Sequence, residues 1–260
     1  MRLPVYGLLA LLIVSCGKSD SSPETHVSIP EKLNWKGLGL SSDISEDDMT
    51  NIPNLLPTMY YTPKEADASC KGGYGRRKFN GNEKTKLLDP EGNTIATVCS
   101  RYASMLLMEG SGILKDRGQG EIAVNYGGKI RNQPRYHYLN RCKFGEGIRK
   151  DLCLLPYHTI AADNKVHQID EIIFVPEARG LALPDGTTHD GFFIVRDTGG
   201  AFNGIGSQRV DMFVGTDPDF SNAFQRAGFH HKRPMTAFKV IGSSAEAVKE
   251  KLRAQFGEIY

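Results

Sequence analysis

The chain has 260 residues, 40% hydrophobic and 24% charged, with 28 glycines and 13 prolines. That composition excludes a disordered chain or a helical array and suits one loop-rich folded domain plus a tether. Its 32 Lys and Arg against 30 Asp and Glu leave a formal net charge of +2, so no global field gathers nucleic acid or anionic membrane.

The first stretch, MRLPVYGLLALLIVSC, sets Arg2 before an apolar run from Val5 to Val14 that is too short to span a bilayer. Residues 1–15 are expected to be a signal peptide. The ending Ile13-Val14-Ser15-Cys16 resembles the bacterial lipobox, which makes Cys16 the lipidated first residue of the mature protein. An ordinary signal peptide cut a few residues later is the alternative. Gly17 is not the Asp that retains such lipoproteins in the inner membrane, so the expected address is the periplasmic face of the outer membrane.

Residues 16–59 are rich in Ser, Pro, Asp and Glu and keep no period of two or 3.6 residues, which predicts a flexible tether. From residue 60 to 260 the pattern predicts one mainly β domain. The short apolar runs TIATVC, SMLLMEG, EIAVNYGG, HTIAAD, EIIFVPE, GFFIVRD, RVDMFVG and TAFKVIG, bounded by Gly, Asn, Asp and Pro, read as strands of a sandwich or barrel. The last segment, 243–257, predicts a helix: Ser243 caps with Glu246, and Val248, Leu252 and Phe256 make one apolar stripe. With Cys16 set aside, Cys70, Cys99, Cys142 and Cys153 allow two disulfides in three connectivities, and the 142–153 loop closes most easily.

Two aspartates stand where a core would take Val or Ile. Asp197 ends the apolar run Phe192-Phe193-Ile194-Val195-Arg196, and Asp211 lies inside Arg209-Val210-Asp211-Met212-Phe213-Val214. A carboxylate in a strand must be exposed, paired or raised in pKa. Two facing one groove can serve as an acid and a charge stabiliser. The alternative is structural, with Asp197 capping a turn and Asp211 paired to Arg196 or Arg209. The turn Thr198-Gly199-Gly200 permits close approach to a ligand. Glu109 and Glu121 are further groove candidates or plain strand ends. Tyr126, Tyr136 and Arg135 form an aromatic, basic cluster that could stack on sugar rings or be an ordinary surface loop.

No cofactor or metal is expected. There is no Cys-x-x-Cys pair and no phosphate loop, and His230 and His231, adjacent on a strand, face opposite ways.

The pieces HTIAAD with Asp163, VRDTGGAFNG with Asp197 and RVDMFVG with Asp211 resemble the three-aspartate (3D) domain of bacterial cell-wall proteins. They also resemble the barrel of the membrane-bound lytic transglycosylase A family. The resemblance spans about Glu109 to Gly242. It implies a six-stranded double-psi β-barrel that cleaves the β-1,4 bond between N-acetylmuramic acid and N-acetylglucosamine in peptidoglycan, leaving a 1,6-anhydro sugar. It makes Asp211 the general acid and base, Asp197 a charge stabiliser or orienting group, and Asp163 the third member of the cluster. The sequence departs from the family in the loop after Asp163, in an insertion around Ile205-Gly206-Ser207, and in leaving no room for a large second domain, which implies a shallower groove. The expected partner is the glycan strand, bound by a monomer that does not bind nucleic acid. A non-catalytic peptidoglycan-binding lipoprotein and a hydrolytic muramidase remain the alternatives.

Overall fold

The structure, a computed structural model, describes residues 40–202, 209–216 and 222–260. The signal peptide, Cys16 and the 205–207 insertion lie outside the described residues, and with them the lipidation site. No helix among the described residues is long and apolar enough to cross a membrane.

The chain enters the barrel at β1 (Met49–Tyr60). It then leaves to build a small lobe from β2 (Lys71–Tyr74), β3 (Arg77–Asn80), β4 (Lys84–Leu88), β5 (Thr94–Cys99), α1 (Ser100–Glu109), β6 (Ser111–Leu114), β7 (Ile122–Ile130) and β8 (Gln133–Tyr138). It returns through β9 (Thr159–Ala162), β10 (Ile172–Phe174), β11 (Phe192–Asp197), β12 (Arg209–Phe213), the short α2 (Ala223–Arg226), β13 (Met235–Val240) and α3 (Gly242–Phe256). Six strands close the barrel in the order β1-β12-β9-β11-β10-β13. The pairs β1–β12 and β9–β11 are parallel and the rest antiparallel. This closed six-stranded barrel with a C-terminal helix is the architecture the resemblance implies. Closure leaves no free edge.

Barrel packing follows from strand alternation. Ile52, Leu55, Ile160, Ala162, Ile173, Phe193, Val195, Val210, Met212 and Ala237 fill the interior. On the other face Tyr60, Leu154, Ala161, Phe202 and Phe213 form a second apolar cluster.

Four expectations are corrected. Residues 49–59 are not tether but most of β1. Pro53 disguises the strand, and it is tolerated because the register with β13 shifts between Ile52 and Leu55, where Asn54 takes φ 51°. SMLLMEG is not a strand. It ends α1, whose Tyr102, Ala103 and Leu106 pack on one side, and Gly110, at φ 83°, stops the helix as its N–H bonds to Leu106 O. Residues 60–260 are not barrel throughout, because the β2–β8 lobe has its own core of Leu87, Val98, Tyr102, Leu106, Leu114, Val124 and Tyr136. Finally, α3 is not capped by Ser243. The Asp48 carboxylate reaches across to accept from Ser244 N at 3.1 Å. The disulfides are Cys70–Cys99 and Cys142–Cys153.

Candidate active site

β9 runs between β11 and β12, and both aspartates register with the same residue of it. Asp197 pairs with Ala161 on one side and Asp211 with Ala161 on the other. Val210 and Met212 point into the barrel, so Asp211 between them must point out.

Asp197 needs an extra step. Phe193 and Val195 face the interior, and strict alternation would send Asp197 after them. A bulge prevents this: Val195 opposes Ile160 and Asp197 opposes Ala161, so β11 advances two residues while β9 advances one. The extra residue turns Asp197 onto the outer face. With strands roughly 4.8 Å apart, the two backbones stand about 10 Å from each other across β9. The residue of β9 between them is Ala161, whose side chain is a methyl.

On the same face Tyr60, Phe202 and Phe213 pack together, with Tyr60 and Phe213 centroids 5.1 Å apart and the Phe144 ring 6.3 Å from Phe213. Burial pushes the Asp211 carboxyl up to about 6, against the opposing pull of Arg209. Arg209 Nη2 is 3.8 Å from Asp211 Oδ1, too far for a hydrogen bond, and that buried oxygen has no partner among the described residues. Burial also pushes Asp197 up to about 6. The Asp211 charge adds to the rise, while the Thr198 N–H, donating to Oδ1 at 2.8 Å, and the nearby Tyr60 hydroxyl oppose it. That hydroxyl is buried and faces Asp197 without meeting hydrogen-bond geometry. Burial, then the charges of Asp197 and Asp211, hold the Tyr60 phenol well above its ordinary pKa.

Both structural alternatives are partly present, since Asp197 accepts from its own turn and Asp211 has a loose cationic neighbour. Neither outweighs desolvation. Arg196 does not neutralise the pair: it is buried, donates to Cys153 O at 3.0 Å and stacks 4.1 Å over Tyr260.

The other sequence candidates separate. Thr198 and Gly199 adjoin Asp197, and Gly200 begins the short turn Gly200–Phe202. Asp163 follows β9 and is buried, and its Oδ1 accepts from Lys165 N at 3.0 Å, so it holds its own turn. Tyr136 and Arg135 are buried in the small lobe, and Tyr126 packs edge-on against Tyr136 at 6.1 Å. Because Tyr126 and Tyr136 are cross-strand partners, they share the lobe's inner face and do not present a sugar platform. Glu109 accepts from Tyr74 Oη at 2.6 Å and Tyr61 N at 3.4 Å, and Glu121 is exposed. No group of three His, Cys, Asp or Glu able to hold a metal occurs among the described residues.

Sequence reasoning missed Tyr60, Phe202, Phe213 and Phe144, while Arg209 is the neighbour it offered Asp211. It also missed a pair, 2.7 Å apart, between His137 of β8 and Glu146 of the disulfide-closed loop that follows. That loop abuts β11: Ile148 N donates to Arg196 O at 3.0 Å, and a side chain at Gly147 would overlap the same carbonyl.

Residues 158–236 match the family model of the 3D domain. No curated protein matches the chain. Among solved structures, MltA of Escherichia coli with bound chitohexaose is 14% identical over 72% of this chain and 71% of its own, at a TM-score of 0.45. The membrane-bound lytic murein transglycosylase of Agrobacterium tumefaciens is 14% identical over 80% and 79%, at 0.47. The lytic transglycosylase LtgG of Burkholderia pseudomallei is 15% identical over 70% and 70%, at 0.38. The strands that bear Asp197 and Asp211, and the turn that bears Asp163, lie within the stretch that matches the 3D-domain model.

Proposed function

We propose that the protein is a lytic transglycosylase that cleaves the β-1,4 bond between N-acetylmuramic acid and N-acetylglucosamine in peptidoglycan. The observation that carries this reading is the convergence of Asp197 and Asp211 on either side of Ala161, each pushed up to about 6 by burial. The 3D domain match supports it. Groups with pKa near working pH serve best in proton transfer.

In this reading Asp211, when protonated, gives its proton to the glycosidic oxygen as the C1–O bond breaks. It then takes the proton from the C6 hydroxyl of the same muramoyl residue as that oxygen bonds to C1. The product is a 1,6-anhydro sugar, water is not consumed, and Asp211 ends as it began. Because the nucleophile is intramolecular, no second carboxylate is needed to activate water. Asp197, ionised when Asp211 is protonated, stabilises positive charge on the ring. Asp163 supports the turn behind β9. The buried Tyr60, Phe202 and Phe213 rings pack beside the carboxylates and keep water from them. We further propose a lipid anchor at Cys16 on the periplasmic face of the outer membrane.

The test is product analysis by mass after incubation of the protein with purified peptidoglycan. Anhydro-muropeptides that disappear in Asp211→Asn support the reading. Reducing-end products would make the enzyme a hydrolase, and binding without release would make it a wall-binding protein.

A further inference from the structure

The β2–β3 hairpin and the start of β4 carry Lys71, Arg76, Arg77, Lys78, Lys84 and Lys86 against Glu83 alone. The whole chain is almost neutral, so this concentration of charge is local. All six cations are exposed, and none makes an ion pair among the described residues. Unpaired like charges crowded on one hairpin repel each other and gain nothing for folding.

The hairpin is nevertheless firmly held. Cys70 is bonded to Cys99 at the start of α1. Arg101 donates to Gly73 O at 3.2 Å and to Ser69 O at 2.9 Å, and Phe79 is buried beneath the Arg77 guanidinium. The pairing Lys71↔Asn80 and Gly73↔Lys78 puts Lys71 and Lys78 on the face away from Tyr74 and Phe79, and Arg76 sits in the turn. A rigid, unpaired cationic face is preorganised for an anion.

Its position ties it to the strand that leads to the carboxylates. Tyr74 at the hairpin's end donates to Glu109, whose other oxygen accepts from Tyr61 N, and Tyr61 follows the Tyr60 that faces Asp197. Tyr74 thus anchors the hairpin from one face and leaves Lys71 and Lys78 on the other. An anionic polymer approaching two aspartates meets like charge, and a fixed cationic face elsewhere on the molecule offsets this and favours one orientation.

Resting on the function proposed above, we infer that the hairpin is the docking surface for carboxylates of the peptide stems on the glycan strand. It would make the protein select stem-bearing over bare glycan. Its outward face offers Lys71, Gly73, Lys78 and Asn80 with no large apolar side chain to enter a bilayer, which favours a hydrated acidic peptide over a lipid surface.

The experiment compares full-length protein on intact peptidoglycan and on glycan stripped of stems by an amidase, which leaves one lactyl carboxylate on each muramoyl residue in place of the stem's carboxylates, reading bound fraction and product release at low and high salt. The wild type should bind the intact wall about tenfold more tightly, as expected for several exposed charge pairs. High salt and a Lys71→Glu/Arg76→Glu/Lys78→Glu variant should each bring that ratio close to one. A Lys84→Glu/Lys86→Glu variant, on the neighbouring strand, should lower it part of the way, and melting curves of both check folding. An unchanged ratio in both variants, or no preference in the wild type, overturns the inference. So does hairpin-dependent flotation with phosphatidylglycerol vesicles that exceeds wall binding. If neither substrate yields anhydro products but the hairpin-dependent preference persists, the catalytic reading fails and this inference stands. If bare glycan is cleaved as well as the intact wall, the reverse holds.

Discussion

Replacing Asp211 with Asn should abolish product release and, at neutral pH, stabilise the fold. The carboxyl rises from its ordinary 3.8 to about 6 because the folded protein buries it, and that difference corresponds to about 3 kcal/mol at about 1.4 kcal/mol per pH unit. Its side chain keeps 21% exposure and Arg209 lies 3.8 Å away, so solvent screening brings the recoverable part to about 1–2 kcal/mol. The sign follows from proton binding. Between pH 4 and 6 the folded state holds a proton that the unfolded state has lost, so wild-type stability falls as pH rises through this window and is level above it. Asn carries no such penalty and also relieves Asp197 of a neighbouring charge. Melting temperatures across pH 4–8 should coincide near pH 4 and separate by about 2–8 °C at pH 8, at the roughly 2–4 °C per kcal/mol expected for a chain of this size. Parallel curves, or a variant less stable at pH 8, would refute a desolvated Asp211.

Cleavage should follow a bell-shaped pH profile centred near 6, because one of two carboxyls of similar pKa must be protonated and the other ionised; a plateau from pH 5 to 8 would count against the pair. Ala161→Leu should fill the space between the aspartates and lower kcat/KM on the order of 10²-fold, read from product release, at a stability cost of about 1–3 kcal/mol for overpacking. Tyr60→Phe removes a buried hydroxyl that has no hydrogen-bond partner among the described residues. Its melting temperature should stay level or rise, while loss of the phenol beside Asp197 shifts the acid limb of the profile upward.

Much of the barrel was legible because its strands are short apolar runs between turn residues, as in EIIFVPE and TAFKVIG. β1 was hidden because its two prolines and Asn54 are individually hostile to a strand, and only pairing with β12 and β13, far along the chain, makes it one. SMLLMEG misled for another reason. An apolar run cut from the C-terminal half of α1 does not display the 3.6-residue period that its longer context, SRYASMLLME, contains. The paired tyrosines of β7 and β8 illustrate a third limit. Aromatic residues near Arg and His look like a ligand platform, yet cross-strand pairing turned them toward the lobe's own core.

The candidate site shows how far alternation carries an argument about chemistry. Asp211 could be placed from sequence alone, since Val210 and Met212 on either side are apolar and a strand sends neighbours to opposite faces. The same reasoning applied to Asp197 puts it inside the barrel, behind Phe193 and Val195, where an ion would be untenable. The bulge at Arg196 resolves the conflict, and it takes support from outside the strand: Arg196 is buried, its carbonyl accepts from Ile148, and its guanidinium reaches Cys153 O in the disulfide-closed loop. The residue that breaks the alternation is thus held by a segment that precedes the stretch matching the 3D-domain model. A barrel with the three aspartates but without that loop would keep Asp211 on the outer face and lose the support that turns Asp197 to meet it.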